Sequence, residues 1–458
     1  LLADAEREDQ SAFLREAARE LGLPAGVGVA EALEAIARAN EAACASPPTF
    51  FALERAFHGK TTGASQVTYN PAYREPFSRI GVACEFLPAS DEAAWRKAIA
   101  RATVRTWDVT SQGGRLDLVE KPWVNVSAIL VEPLQGEGGI HPLAPEDAAR
   151  LRAVADAHGI PIVIDEIQSG MGRTGRCFGA RGGDVRGGVY CFAKALGGGI
   201  AKIGAMAVDD RRYRPDFGVL HTSTFAEDDF SCRVAVRALT LLDEADVPGR
   251  CLALGEHWLP ALRSLVERHP TVLRAVRGQG LMLGLEFQPQ TQSPSNVIRM
   301  LSDHGYLGYV VAGYFLHEAG FRVAPTLSAT TTIRLEPSAF IDRAHLDRFV
   351  GAVDRLCEVL EKGNAYRLVR YVVGLADPAD KRPVEDFRGH PSAPRREAPR
   401  CEKRVAFLGH FIAAKDAMLW EPSLTLLPPG AADRFQLATH RIFGPTIYDQ
   451  VHVARPCT

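Results

Sequence analysis

Four short apolar runs punctuate the sequence at Ala128–Val131, Ile160–Ile164, Val189–Phe192 and Gly204–Val208. Each has the length of a strand buried on both faces and is too short for a buried helix. Between the first two lies Pro145–His158, which reads as a helix with Pro145 in its first turn and Gly159 just past its end. Strands alternating with helices predict an α/β domain with a mostly parallel sheet covered on both faces.

The texture differs on either side of this region. Ser11–Leu21 and Ala30–Ala45 carry apolar residues at helical spacing. Ser231–His269 is rich in helix signals. Leu281–Phe287 and Thr332–Leu335 read as strands, and His345–Leu360 as an amphipathic helix. Asp377–Arg400 is rich in Pro, Arg, Asp and Glu with little apolar patterning, as in an exposed linker. Arg404–His410 then looks like a new strand running into a loop. The expected organisation is a helical segment over 1–48, a large domain over 49–260 and a smaller α+β domain over 261–360. A linker over 361–400 and the start of a further domain over 401–458 complete it.

Two segments carry chemistry. In Ile160–Gly175, a buried strand ends in Asp165 and is followed by glycines at 170, 172 and 175 around Arg173. Ligands of open α/β sheets sit beyond the carboxyl ends of the strands. A carboxylate there serves as a helix cap, a metal ligand or the partner of a cationic ligand atom. Arg173 fits loop scaffolding as well as ligand contact. Twenty-nine positions on, the strand Val189–Phe192 leads into Ala193-Lys194-Ala195-Leu196-Gly197-Gly198-Gly199. A lysine between a buried strand and three glycines is expected to be partly desolvated, which lowers its pKa and makes it a nucleophile toward carbonyls.

Together these segments resemble the class III, fold-type I, pyridoxal-phosphate aminotransferases. The likeness extends to Phe57-His58-Gly59-Lys60-Thr61, Val131–Gly139, His221–Phe225, Gly278–Glu286 and Thr332–Leu335, in the family's order. It implies a large domain with a seven-stranded, mostly parallel sheet, and pyridoxal 5′-phosphate as the cofactor. Lys194 would hold that cofactor as a Schiff base and shuttle protons. Asp165 would pair with the pyridine nitrogen, Gln168 with the ring hydroxyl, and Phe57 would stack on the ring. His58 would pack behind them in the cofactor site. Thr224 would reach the phosphate held by a neighbouring subunit, which implies a homodimer. Glu137 and Arg334 would form a gate that takes or releases a substrate carboxylate. The implied substrates are a small-molecule amino donor and an aldehyde or keto acceptor.

The chain departs from the family at three places. Ala35–Ala39 precedes Asn40-Glu41-Ala42-Ala43 where the family has a Ser-Gly phosphate anchor. The stretch before His58 is short, so missing segments are expected. Glu227-Asp228-Asp229 stands where the family has Gly-Asn-Pro. Beyond Leu360 the resemblance ends, and Lys403–Leu419 faintly resembles the opening of an acyl-thioester reductase domain. Such a domain would supply an aldehyde for amination. An aminomutase, decarboxylase or epimerase on the same scaffold, or a catalytically weak scaffold module, are the alternatives.

Composition narrows the classes. A net charge of -2 leaves no electrostatic footprint for nucleic acid or an anionic membrane. No apolar run is long enough to span a bilayer, and the acidic start is not a signal peptide; it lacks Met, as a processed or incomplete end would. The 9 cysteines form no C-x-x-C pair and no zinc-ligand spacing, so no metal is expected and the thiols read as reduced, in a cytoplasmic protein. Cys177, Cys191 and Cys232 read as small core residues.

Overall fold

The computed structural model describes residues 9–182, 185–220, 224, 226–372, 411–414 and 417–420. Its strands in chain order are β1 Thr49–Leu53, β2 Cys84–Leu87, β3 Thr103–Gln112, β4 Arg115–Val124, β5 Val126–Val131, β6 Leu134–Gln135 and β7 His141–Pro142. There follow β8 Ile162–Asp165, β9 Val189–Phe192, β10 Ala205–Val208, β11 Leu273–Gln279, β12 Met282–Phe287, β13 Ala324–Pro325 and β14 Thr332–Leu335. The hairpin β15 Phe411–Ala414 and β16 Ala417–Trp420 belongs to a separate unit, Ala379–Thr458.

The main sheet has the order β10-β9-β8-β5-β1-β2. The five strands β2, β1, β5, β8 and β9 run parallel, and β10 closes one edge antiparallel to β9. Parallel strands need crossover connections, and the helix Pro145–His158 supplies the one between β5 and β8. Its Pro sits in the first turn, and Gly159 ends it in the left-handed conformation, φ 66°. Phe51, Ile129, Ile162 and Ile164 of the sheet pack with Trp95 and Leu151 of the helices in one buried cluster.

Six strands rather than the expected seven make up this sheet among the described residues. Among the described residues, the chain ahead of β1 adds no strand. Its helices Ser11–Leu21 and Val29–Ala43 pack Phe13, Ala17, Ala32 and Ile36 against Leu116 and Leu118 of the β3–β4 hairpin. Asn40 fastens them by accepting from Trp107 N and donating to Trp107 O, both at 2.8 Å.

A second sheet, β11-β12-β14-β13, is antiparallel throughout. It is backed by the helices Val247–Arg268 and Arg343–Glu361, whose Trp258, Leu262, Phe349 and Leu356 pack with Leu283, Leu285 and Ile333. This buried face carries the stability of the second half. Each large apolar side chain contributes about 1.5–3 kcal/mol.

Of the expected linker over 361–400, residues 361–372 are described and carry the short helix Ala365–Val369, whose Leu368 is buried in the core of the second sheet rather than exposed. The remainder of the linker and the strand over 404–410 lie outside the described residues. The described part of the tail is the antiparallel pair β15–β16, with Phe411 opposite Trp420. A strand running into a helix, as a dinucleotide-binding domain opens, is not among the described residues.

Candidate active site

Asp165 ends β8 and Lys194 follows β9. The two strands are parallel neighbours with Asp165 opposite Cys191, so both charged residues leave the carboxyl edge of the sheet side by side. No helix follows Asp165. Its Oδ1 accepts from Ile167 N at 3.0 Å, and its Oδ2 accepts from His58 Nδ1 at 2.8 Å. It caps a turn and holds a histidine, and each oxygen keeps lone-pair capacity for a further donor.

His58 is buried, and its Nε2 has no partner among the described residues. Burial pulls its pKa down, but the Asp165 bond and charge, with Glu132 beyond, outweigh that and hold the imidazole above its ordinary value. Glu132 is the residue that the motif reading missed. Its Oε1 accepts from Phe57 N at 2.9 Å and its Oε2 from Gly136 N at 3.0 Å. It therefore ties the Phe57–His58 segment to the segment that carries Glu137. Burial pushes its carboxyl up to about 7, with Asp165 adding to the rise and His58 and the two N–H groups opposing it. Phe57 is half-buried and meets Tyr73 edge-on, with centroids 6.0 Å apart.

A polar chain crosses from the large sheet to the small one. Lys194 Nζ donates to Gln168 Oε1 at 3.3 Å, and Gln168 Nε2 donates to Glu336 Oε1 at 2.8 Å. Glu336 Oε2 lies 3.8 Å from Arg334 Nε, and Arg334 Nη1 pairs with Glu137 Oε1. Glu137 is buried; its other oxygen accepts from Leu327 N at 2.8 Å. Glycines make this approach possible. A Cβ on Gly136 would lie 2.1 Å from Gln168 Oε1, and one on Gly138 would lie 2.4 Å from the Arg55 carbonyl oxygen. A cleft of about 410 Å³ borders the chain, with Trp258, Phe321 and Phe349 beside Arg334 and Glu336.

Several expectations need correction. Lys194 is exposed, not desolvated. It starts a 3-10 turn near the antiparallel edge of the sheet, where Ala205–Ala207 of β10 and Gly198–Ile200 are exposed too, and nothing among the described residues covers it. Its backbone is unusual instead: φ is 48°, in the left-handed region that costs a non-glycine residue about 1 kcal/mol or more. Of the two roles open to Arg173, the scaffolding one has a contact: its Nη1 donates to the Pro337 carbonyl at 2.5 Å. Cys177, Cys191 and Cys232 are half-buried rather than core. Burial and then the Asp165 charge push the Cys191 thiol up to about 11, away from reactivity. Thr224 is exposed ahead of the helix Asp229–Glu244, and the structure does not bring it to the other candidate residues.

Glu166 also escaped the motif reading. It is buried and accepts from Ser169 Oγ at 2.7 Å, Gly179 N at 3.0 Å and Ala180 N at 2.8 Å. It braces the loop after Asp165.

Residues 27–356 match the family model described as aminotransferase class-III. The putrescine aminotransferase of Pectobacterium atrosepticum is 31% identical over 303 residues, which are 66% of this chain and 58% of that protein. The chain thus spans less than two thirds of that relative's length. Among solved structures, the ornithine aminotransferase of Toxoplasma gondii superposes with a TM-score of 0.55 at 22% identity, covering 78% of this chain and 77% of that one. A PLP-bound amine transaminase from an uncultivated Pseudomonas species gives 0.55 at 24% identity, with 71% and 73% covered. At these identities the superpositions speak for the fold.

Proposed function

The chain belongs to the class-III aminotransferase family, and we propose that it moves an amino group from a small-molecule amine to an aldehyde or keto acceptor. The observation that carries this reading is the pair at the carboxyl edge of β8 and β9. Asp165 is held by His58, and Lys194 sits in a left-handed turn beside Gln168. The cofactor of the family is pyridoxal 5′-phosphate, and the donor set fits it. Asp165 offers an anion to a pyridinium N–H, Lys194 offers an amine for covalent attachment, and Phe57 offers an aromatic face. When bound, the cofactor supplies an electron sink for the charge left as a proton departs from the amine-bearing carbon.

The chain's own residues do the rest. His58, drawn toward its protonated form, fixes the Asp165 side chain through its Nδ1 bond. Lys194 Nζ would take the proton from the donor carbon as a base and give it up again as an acid within the same half-reaction, and repeat the two roles in the opposite order on the acceptor. Gln168 keeps that amine aligned from below, being pinned itself by Glu336. Arg334 receives a carboxylate when Glu137 turns away, and Glu137 neutralises it otherwise. The relative's name, putrescine aminotransferase, supports an amine donor without an α-carboxylate. The aldehyde acceptor rests on the tail's resemblance alone.

A homodimer is part of the proposal. Ile200, Met206, Leu220, Phe230, Val236 and Leu241 are all exposed on the elements around Lys194. Apolar patches of this kind mark interfaces. A second copy seated there would cover Lys194 and bring Thr224 to the neighbouring cofactor phosphate. No described helix is long and apolar enough to cross a membrane, and we place the enzyme in the cytoplasm, in a biosynthetic role. Borohydride reduction of the holoenzyme followed by peptide mapping tests the assignment. Modification of Lys194 is the expected result, and modification of another lysine would sink it.

A further inference from the structure

Arg334 and Glu336 stand two residues apart at the end of β14, so their side chains leave the extended chain on the same side. Arg334 thereby faces two carboxylates. Glu137 pairs with its Nη1, and Glu336 lies 3.8 Å from its Nε. One positive charge is shared between two negative ones. The second carboxylate has an anchor of its own. Gln168 Nε2 holds Glu336 Oε1 at 2.8 Å, and Gln168 is itself engaged by Lys194. Glu336 is largely shielded from water, at 22% side-chain exposure, so its charge is poorly screened.

We propose that Glu336 is a specificity-determining residue that keeps Arg334 neutralised after Glu137 has moved aside, and so turns this subsite toward cationic or neutral substrate ends and against carboxylates. The proposal rests on the transamination reading for the site's location and deepens it by naming the substrate class. An incoming carboxylate that displaces Glu137 still meets the charge of Glu336 across the guanidinium. An amine with a second cationic group at its far end meets an excess of one negative charge instead. The nearest arrangement without Glu336, a single glutamate–arginine gate, would leave Arg334 fully available to the carboxylate. Gln168 also gains a function here. Because its Nε2 is bound to Glu336, it presents its carbonyl oxygen to Lys194, so substrate end and reacting amine share one hydrogen-bonded line.

Equilibrium binding to the holoenzyme tests this without turnover. The probes are butyrate and N,N-dimethylbutylamine, neither of which carries a transferable amino group. Wild type is expected to bind the cation more tightly than the carboxylate. Glu336→Gln, which keeps the shape and the Gln168 contact, is expected to bind butyrate about tenfold tighter and the cation about tenfold weaker, as for removing a charge about 6 Å away in a partly shielded site. Glu336→Asp should keep the wild-type order. An unchanged preference in Glu336→Gln, or a wild type that favours butyrate, overturns the proposal. A wild type that shows the charge preference yet transfers no amino group sinks the transamination reading and leaves the Glu336 assignment standing.

Discussion

Glu132→Gln tests the claim that a buried carboxyl joins the two halves of the site. In the wild type this carboxyl is pushed up to about 7, from an ordinary 4.5, chiefly by burial. Folding therefore draws a proton onto Glu132 between those two values. A raised carboxyl contributes its full share of stability below 4.5 and loses it as pH rises through 7. The gap, at about 1.4 kcal/mol per pH unit, amounts to about 3 kcal/mol of burial cost in the ionised form. Glutamine has no such titration. It has one acceptor oxygen for two donors, Phe57 N and Gly136 N, and so forfeits one contact at about 1–3 kcal/mol. The variant should be less stable than wild type at pH 5 by that amount. By pH 8.5 the difference should have shrunk by about 3 kcal/mol, to near zero or inverted. Urea denaturation of both proteins at saturating cofactor, across pH 5 to 8.5, reads the difference directly. His58 and Asp165 are present in both, so the comparison isolates Glu132 and its coupling to them. Parallel stability curves would refute the reasoning and make Glu132 an ordinary ionised anchor.

Asp165→Asn should fold nearly as well as wild type but lose the charge we propose to face the pyridine nitrogen; a half-reaction slowed at least a hundredfold, with little change in melting temperature, is expected in stopped-flow and thermal scans. Arg334→Ala leaves Glu137 as a buried, unpaired carboxylate and should destabilise by about 3 kcal/mol; Glu137→Gln in the same chain should recover most of that loss, as thermal melting of the single and double variants will show. Glu137→Ala should improve binding of carboxylate-bearing amines and weaken that of neutral ones, and equal losses for both in substrate titrations would reduce the gate to a plain salt bridge.

The parts of this structure that follow from local rules could be read in the residues. The helix Ser11–Leu21 ends at Gly22 in the left-handed conformation, and the strand Val189–Phe192 lies within its expected bounds. Asp165 and Lys194 emerge as neighbours because one ends β8 and the other follows β9, its half-buried parallel partner. The β3–β4 hairpin was overlooked although its signal is plain: apolar and polar residues alternate on both sides of Gly113-Gly114, both at positive φ. Glu132, Glu166 and Glu336 are a different case. Each is a glutamate inside or beside a motif already in view, and its partners are 2 to 168 positions away. The distant contacts, Glu132 with Phe57 and Glu336 with Gln168, exist only once the sheets are assembled, so spacing along the chain carries no trace of them. The exposure of Lys194 was hidden for a related reason. Burial at a sheet edge depends on what covers the edge, and flanking glycines do not report that.

Transfer of nitrogen itself is the most direct test of the account. Holoenzyme incubated with ¹⁵N-labelled 1,4-diaminobutane and an unlabelled keto acid should yield the matching amino acid carrying ¹⁵N, read by mass spectrometry, and Lys194→Ala should yield none. Amine consumed with the label released as ammonium, or carbon dioxide formed in place of a labelled product, would contradict it.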